Sequence, residues 1–159
     1  MKQVIALKIN GSAYEVAAEP RDTLLEVLRQ LGFKGAKEAC GLGECGTCTV
    51  IIDGTPVLAC LTLAIEAQDK EITTIEGVAE GQELHPVQKA FVEHGAIQCG
   101  FCTPGMIIAA KALLDDNPAP GTEEIKTALG GHLCRCTGYV KIIESIKAAA
   151  GEMTTRRGS

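Results

Sequence analysis

The chain has no tryptophan, two tyrosines and three phenylalanines among its 159 residues. Proteins that hold single-stranded nucleic acid stack bases on aromatic side chains, and this supply is too thin for that. Positive charge is not in excess either. The 15 Lys and Arg face 20 Asp and Glu, a formal net charge of -5, which argues against a polyanionic partner. No apolar run approaches the roughly 20 residues of a bilayer span, so no membrane segment is expected. Met1 to Leu7 carries one basic residue, no apolar signal core and no twin-arginine pair. That start is read as cytoplasmic. No G-x-G-x-x-G element is read for a dinucleotide.

What the chain does have is cysteine. Eight of them, about one residue in twenty, stand in a sequence whose 46% apolar content supports a folded core. Cytoplasmic thiols are kept reduced, so metal ligands are expected rather than four disulfides. Cys40, Cys45, Cys48 and Cys60 are spaced C-x4-C-x2-C-x11-C. Cys99 and Cys102 form C-x2-C, and Cys134 and Cys136 form C-x-C. Four plus four predicts two metal sites, one in each of two modules.

The first module, residues 1–76, is expected to be α+β. Val4–Ile9, the turn Asn10-Gly11 and Ala13–Ala17 predict a hairpin. Thr23–Leu31 predicts a helix, capped at Asp22 or Thr23 with Glu26 three residues after Thr23 and Gly32 as its stop. Thr49–Ile52, Asp53-Gly54 and Thr55–Cys60 predict a second hairpin, and Ile72–Ile75 a last strand. Residues 77–84 are expected to link the modules. Residues 85–151 are expected to form a four-helix bundle. Its helices start at Pro86, at Thr103-Pro104, after a Thr122 cap and after a Thr137 cap, the last with Val140, Ile143 and Ile146 on one face and Gly151 at its end. Residues 152–159 are expected as a polar tail.

The first cysteine set has the spacing of plant-type [2Fe–2S] ferredoxins. Its ligands must converge from one tight loop. Glycines at 41, 43 and 46 permit that, and let amide N–H groups approach the sulfurs. A zinc site would favour two C-x2-C knuckles. The second set places each pair at the entry to a helix, where the positive dipole end favours thiolates. By spacing alone, that set fits zinc as well as iron–sulfur. His85 and His94 are expected to cap helices or face solvent. His132 is expected to neighbour the second site without ligating it. Arg135 is open to balancing charge or touching a partner, and Phe101 is expected to shield the site from water.

The blocks Cys40–Val50, Gln98–Gly105 and Cys134–Tyr139 resemble the small iron–sulfur subunit of the molybdenum hydroxylases. That is the xanthine dehydrogenase/oxidase family, with its aldehyde, carbon monoxide, nicotinate, isoquinoline and hydroxybenzoyl-CoA relatives. The similarity runs from about Val4 to Ala150, and all eight cysteines have a counterpart. The resemblance implies a β-grasp ferredoxin domain followed by a four-helix domain, each holding one [2Fe–2S] cluster. It implies a large molybdopterin-binding subunit as partner and a medium FAD-binding subunit, in a hetero-oligomer such as a dimer of heterotrimers. It implies that Gln98 and Cys136 contact the molybdopterin cofactor. It also implies an electron path from molybdenum through the Cys99/Cys102/Cys134/Cys136 cluster, then the Cys40/Cys45/Cys48/Cys60 cluster, to FAD. On that reading this chain is an electron-transfer subunit with no catalytic residues of its own. A free-standing two-cluster carrier is the alternative, and a zinc-stabilised interaction module a further one.

Overall fold

The computed structural model describes residues 1–157. The first hairpin forms as expected from β1 (Gln3–Ile9) and β2 (Ser12–Ala18). Asn10 and Gly11 both take positive φ, the primed turn that matches strand twist. Along β1, Ile5, Leu7 and Ile9 are buried while their neighbours face out. Helix α1 (Leu24–Gln30) follows. Thr23 Oγ1 accepts from Glu26 N at 3.2 Å and the Glu26 carboxylate accepts from Thr23 N at 2.7 Å, so the N-terminal donors are satisfied reciprocally.

Strands β3 (Thr49–Ile52) and β4 (Thr55–Leu58) form the second hairpin, and β5 (Glu71–Thr73) is short. The strand order is β2-β1-β5-β3-β4, with β1 and β5 parallel and the other pairs antiparallel. This is a β-grasp sheet with α1 packed on it. Val50 and Ile52 enter the core beneath α1, together with Leu24 and Leu28. Ile51, on the opposite face of β3, enters the helical core instead. One strand therefore serves both hydrophobic cores, and this joins the modules.

The segment expected as a linker is ordered against that seam. A short 3-10 turn covers Ile75–Gly77, Val78 is buried in the helical core, and Glu80 and Glu83 exchange backbone hydrogen bonds of 3.0 Å. The helical module consists of α2 (Pro86–Glu93), α3 (Thr103–Asp116), α4 (Thr122–Leu129) and α5 (Val140–Arg157). Phe91, Met106, Ile108, Leu114, Ile125, Ile142 and Ile146 fill its centre.

Several details differ from the sequence expectation. Thr137, expected to cap α5, lies in the loop before it and accepts from Tyr139 N at 3.2 Å, and the helix begins at Val140. The α4 cap is Gly121, whose N–H donates to the Glu124 carboxylate at 2.7 Å, and Thr122 is the first helical residue. Helix α5 passes Gly151 and runs to Arg157, so residues 152–157 of the expected tail are helical. Residues 158–159 of that tail lie outside the described residues. The buried face of α5 is Ile142, Ile146, Ala149, Ala150 and Met153, whereas Val140 is exposed. Met153 gives residues beyond Gly151 a place in the core, and a single glycine costs a helix only about 1 kcal/mol.

Candidate iron–sulfur centres

The first cysteine loop is held at both ends by the sheet and α1. Arg29 of α1 donates from Nη1 to the Ala36 carbonyl at 2.9 Å, and Lys37 N donates to the Thr47 carbonyl at 3.0 Å. Between these anchors the chain turns left-handed at Gly41, Gly43 and Gly46. The letters G-x-G-x-x-G do occur here, from Gly41 to Gly46. The loop leads into strand β3 rather than a helix, so it lacks the helix N-terminus on which a pyrophosphate would sit.

The thiols of this loop meet in pairs. Cys40 and Cys45 interact directly, Cys48 and Cys60 interact directly, and Cys45 also acts on Cys48. Cys60 comes in two residues past the end of β4. The Leu42 amide donates to Cys40 Sγ at 3.4 Å, and Thr47 Oγ1 lies 3.2 Å from Cys45 Sγ. The Leu42 amide foremost, then Cys45 and the amides of Glu44 and Cys45, pull the Cys40 thiol down to about 6. Burial pushes Cys48 up to about 11. Such amide and hydroxyl donors are what anionic sulfur requires.

The second set is built on helix starts. Cys102 is the N-cap residue of α3, and Cys134 and Cys136 lie in the loop before α5. The Cys102 and Cys134 thiols interact, as do those of Cys99 and Cys136, and charge on Cys99 acts on Cys102. Burial first, and then Cys134, push Cys102 up to about 12. Burial acts upward on Cys134 too. The Thr137 hydroxyl at 3.1 Å and amide at 3.5 Å, with Cys136 N–H and Cys102, outweigh it and lower that thiol. Cys136 is raised, chiefly by its contact with Cys99.

Two pairs in each set is the donor pattern of a two-iron cluster, in which each iron takes two thiolates. A lone zinc ion would draw all four sulfurs to about 2.3 Å from one point. The paired donor sets fit [2Fe–2S] clusters.

Tyr139 carries a role that no pattern in the sequence signals. Its hydroxyl accepts from Cys134 N at 2.9 Å and donates to the His132 carbonyl at 3.0 Å. Gly138 and Tyr139 both adopt positive φ to bring the ring there. Gln98, Cys99, Arg135 and Cys136 are exposed, and Phe101 is 46% exposed. Phe101 therefore shields the site only in part. His85 caps α2, accepting from Val87 N at 3.3 Å through Nδ1, and His94 is the C-cap of the same helix.

Two family models match the sequence. Residues 7–73 match a 2Fe-2S iron-sulfur cluster binding domain, and residues 74–147 a [2Fe-2S] binding domain. The nicotinate dehydrogenase small FeS subunit of Eubacterium barkeri is 51% identical over 93% of this chain and 95% of its own length. The chain belongs to the small two-[2Fe–2S] subunits of the xanthine dehydrogenase family. The xanthine dehydrogenase iron-sulfur-binding subunit of Escherichia coli O157:H7 is 47% identical over 89% of this chain and 91% of its own length. Among solved structures, quinoline 2-oxidoreductase from Pseudomonas putida 86 superposes with a TM-score of 0.93 at 44% identity, covering 99% of this chain and 98% of that one. No helix among the described residues is long and apolar enough to cross a membrane.

Proposed function

We propose that the chain is the electron-transfer subunit of a molybdenum hydroxylase, working beside a large subunit that binds molybdopterin and a medium subunit that binds FAD. Bound [2Fe–2S] clusters supply one-electron redox chemistry. The arrangement of eight thiols as two pairs per module carries this reading. Cys40, Cys45, Cys48 and Cys60 would hold one cluster, and Cys99, Cys102, Cys134 and Cys136 the other. In this proposal electrons enter at the helical-domain set, beside Gln98 and Cys136, and leave by the ferredoxin-domain set toward FAD.

The surroundings of the second set favour a subunit over a free carrier. Ile97, Phe101, Leu133 and Val140 are all exposed, between 39% and 61%, and lie in or directly beside the loops that bear its cysteines. An apolar rim of this kind suits a face covered by a partner. The relatives are themselves named as subunits, one of them a small one, which is in keeping with such an assembly. Gln98 and Cys136 stand exposed on that same side, which suits contact with a partner's cofactor.

The test is affinity purification of the tagged chain from cells that make its neighbours. Recovery of a large molybdenum-containing subunit, with iron, acid-labile sulfide and two S = 1/2 signals after dithionite, is expected. Zinc in place of iron, or a chain that carries its clusters alone, would overturn the proposal.

A further inference from the structure

The two cysteine loops touch each other, and the contacts are more specific than packing requires. Leu133, the residue before Cys134, donates its N–H to the carbonyl of Cys45 at 3.0 Å. Thr49 Oγ1 donates to the Gly46 carbonyl at 2.6 Å. That uses its single proton, so in the 2.9 Å contact with His132 the imidazole Nε2–H donates to Thr49 Oγ1. His132 Nδ1 is then a bare acceptor, buried and without a hydrogen-bond partner. The contact with Thr49 is the side-chain hydrogen bond that ties this largely buried imidazole to the first loop.

The backbones meet as closely. A Cβ on Gly105, in the first turn of α3, would stand 2.3 Å from the Gly46 carbonyl oxygen and 3.3 Å from Thr47 Cα. A Cβ on Gly46 would stand 2.4 Å from the Gly131 carbonyl oxygen and 2.6 Å from His132 Cδ2. The opposing atoms are mostly main chain and cannot swing aside. Residues 45–49 of the first loop are therefore gripped from one side by α3, three residues beyond Cys102, and from the other by residues 131–133, just before Cys134. Both arms of the second set hold the loop of the first.

We propose that Thr49, His132 and Gly105 form a latch that fixes one thiolate loop against the other, and act as positioning residues for electron transfer between the two centres. This rests on the two-cluster assignment above. Transfer between redox centres falls steeply with separation, so a small loosening of this seam matters more to coupling than to overall stability. None of the three need touch iron or titrate for this role.

The experiment uses the complete iron-loaded complex. EPR of the dithionite-reduced protein reads the magnetic splitting between the two reduced centres, alongside iron and sulfide content and redox potentials. Thr49→Val and His132→Ala are expected to keep both signals but to shrink the splitting several-fold or abolish it. Thr49→Ser keeps the hydroxyl and His132→Gln keeps a donor near the Nε2 position, so both are expected to restore it. The double variant Thr49→Val/His132→Ala should be no worse than either single change, because both break the same bond. Variants with lower thermal stability but unchanged splitting and potentials would reduce the latch to ordinary packing and overturn the proposal. If both Thr49→Val and His132→Ala lose iron, the contact serves assembly rather than transfer, and the positioning role fails. Absence of the two signals in the unmodified complex would instead overturn the two-cluster assignment, and the latch's role with it.

Discussion

The hydroxyl of Tyr139 bonds to the main chain on both sides of Leu133, taking the N–H of Cys134 at 2.9 Å and giving its proton to the carbonyl of His132 at 3.0 Å. A single side chain thus pins the loop that delivers Cys134 and Cys136. Tyr139→Phe keeps the ring and removes both bonds, leaving a partly buried amide without its partner. Such a loss costs about 1–3 kcal/mol. The expected outcome is a lower midpoint of thermal unfolding. Under chelator challenge, the helical-domain signal should be lost before the ferredoxin-domain signal, as followed by EPR.

The grouping of thiols predicts which cluster each cysteine serves. Cys48→Ser is expected to remove the ferredoxin-domain EPR signal and leave the other, and Cys102→Ser to do the reverse. Iron content should fall by half in each case. A cysteine variant that abolished both signals in folded protein would show that the sets are not independent.

The exposed rim of the second site predicts a partner face. Val140 is 61% exposed and is the first residue of α5. An aspartate is favourable at a helix N-terminus, so Val140→Asp should leave the fold and iron content intact. The expected outcome is weaker recovery of the large subunit in affinity purification, about ten-fold or more in Kd if the residue is covered on assembly.

His85 predicts a pH dependence of stability. Burial first, and then the nearby Lys111, hold its imidazole below the ordinary 6.5. Its Nδ1 must stay unprotonated to accept from Val87 N. As pH falls, the unfolded chain takes up this proton before the folded chain does. Stability is therefore full above about 6.5 and declines as pH drops from there toward the lowered folded value. His85→Asn keeps a cap acceptor without titrating in this range. Urea unfolding at stepped pH is expected to show a shallower decline below 6.5 for that variant.

Local chemistry was legible wherever a residue acts on its near neighbours. The Thr23/Glu26 capping box, the Asn10-Gly11 and Asp53-Gly54 turns and the Pro86 helix start all depend on contacts within a few residues, and each formed where its letters stand. The buried face of α5 was not legible, because Val140 and Ile143 look equally apolar in sequence and their exposure is decided by where α2 and α4 lie. The end of α5 was not legible either, because core packing of Met153 outweighs the one glycine at 151.

The sequence alone determined that there are two modules with four cysteines each, because ligand spacing and module order are properties of the chain. It also carried enough pattern to show the family. The pairing of thiols within each set, the bridging role of Tyr139 and the grip of Gly105, Thr49 and His132 on the first loop were decided only by the tertiary structure. The reason is distance along the chain. Thr49 and His132 are 83 residues apart, and no local propensity records that their side chains meet. That contact exists because β3 is buried on both faces and draws the helical module against the loop that precedes it.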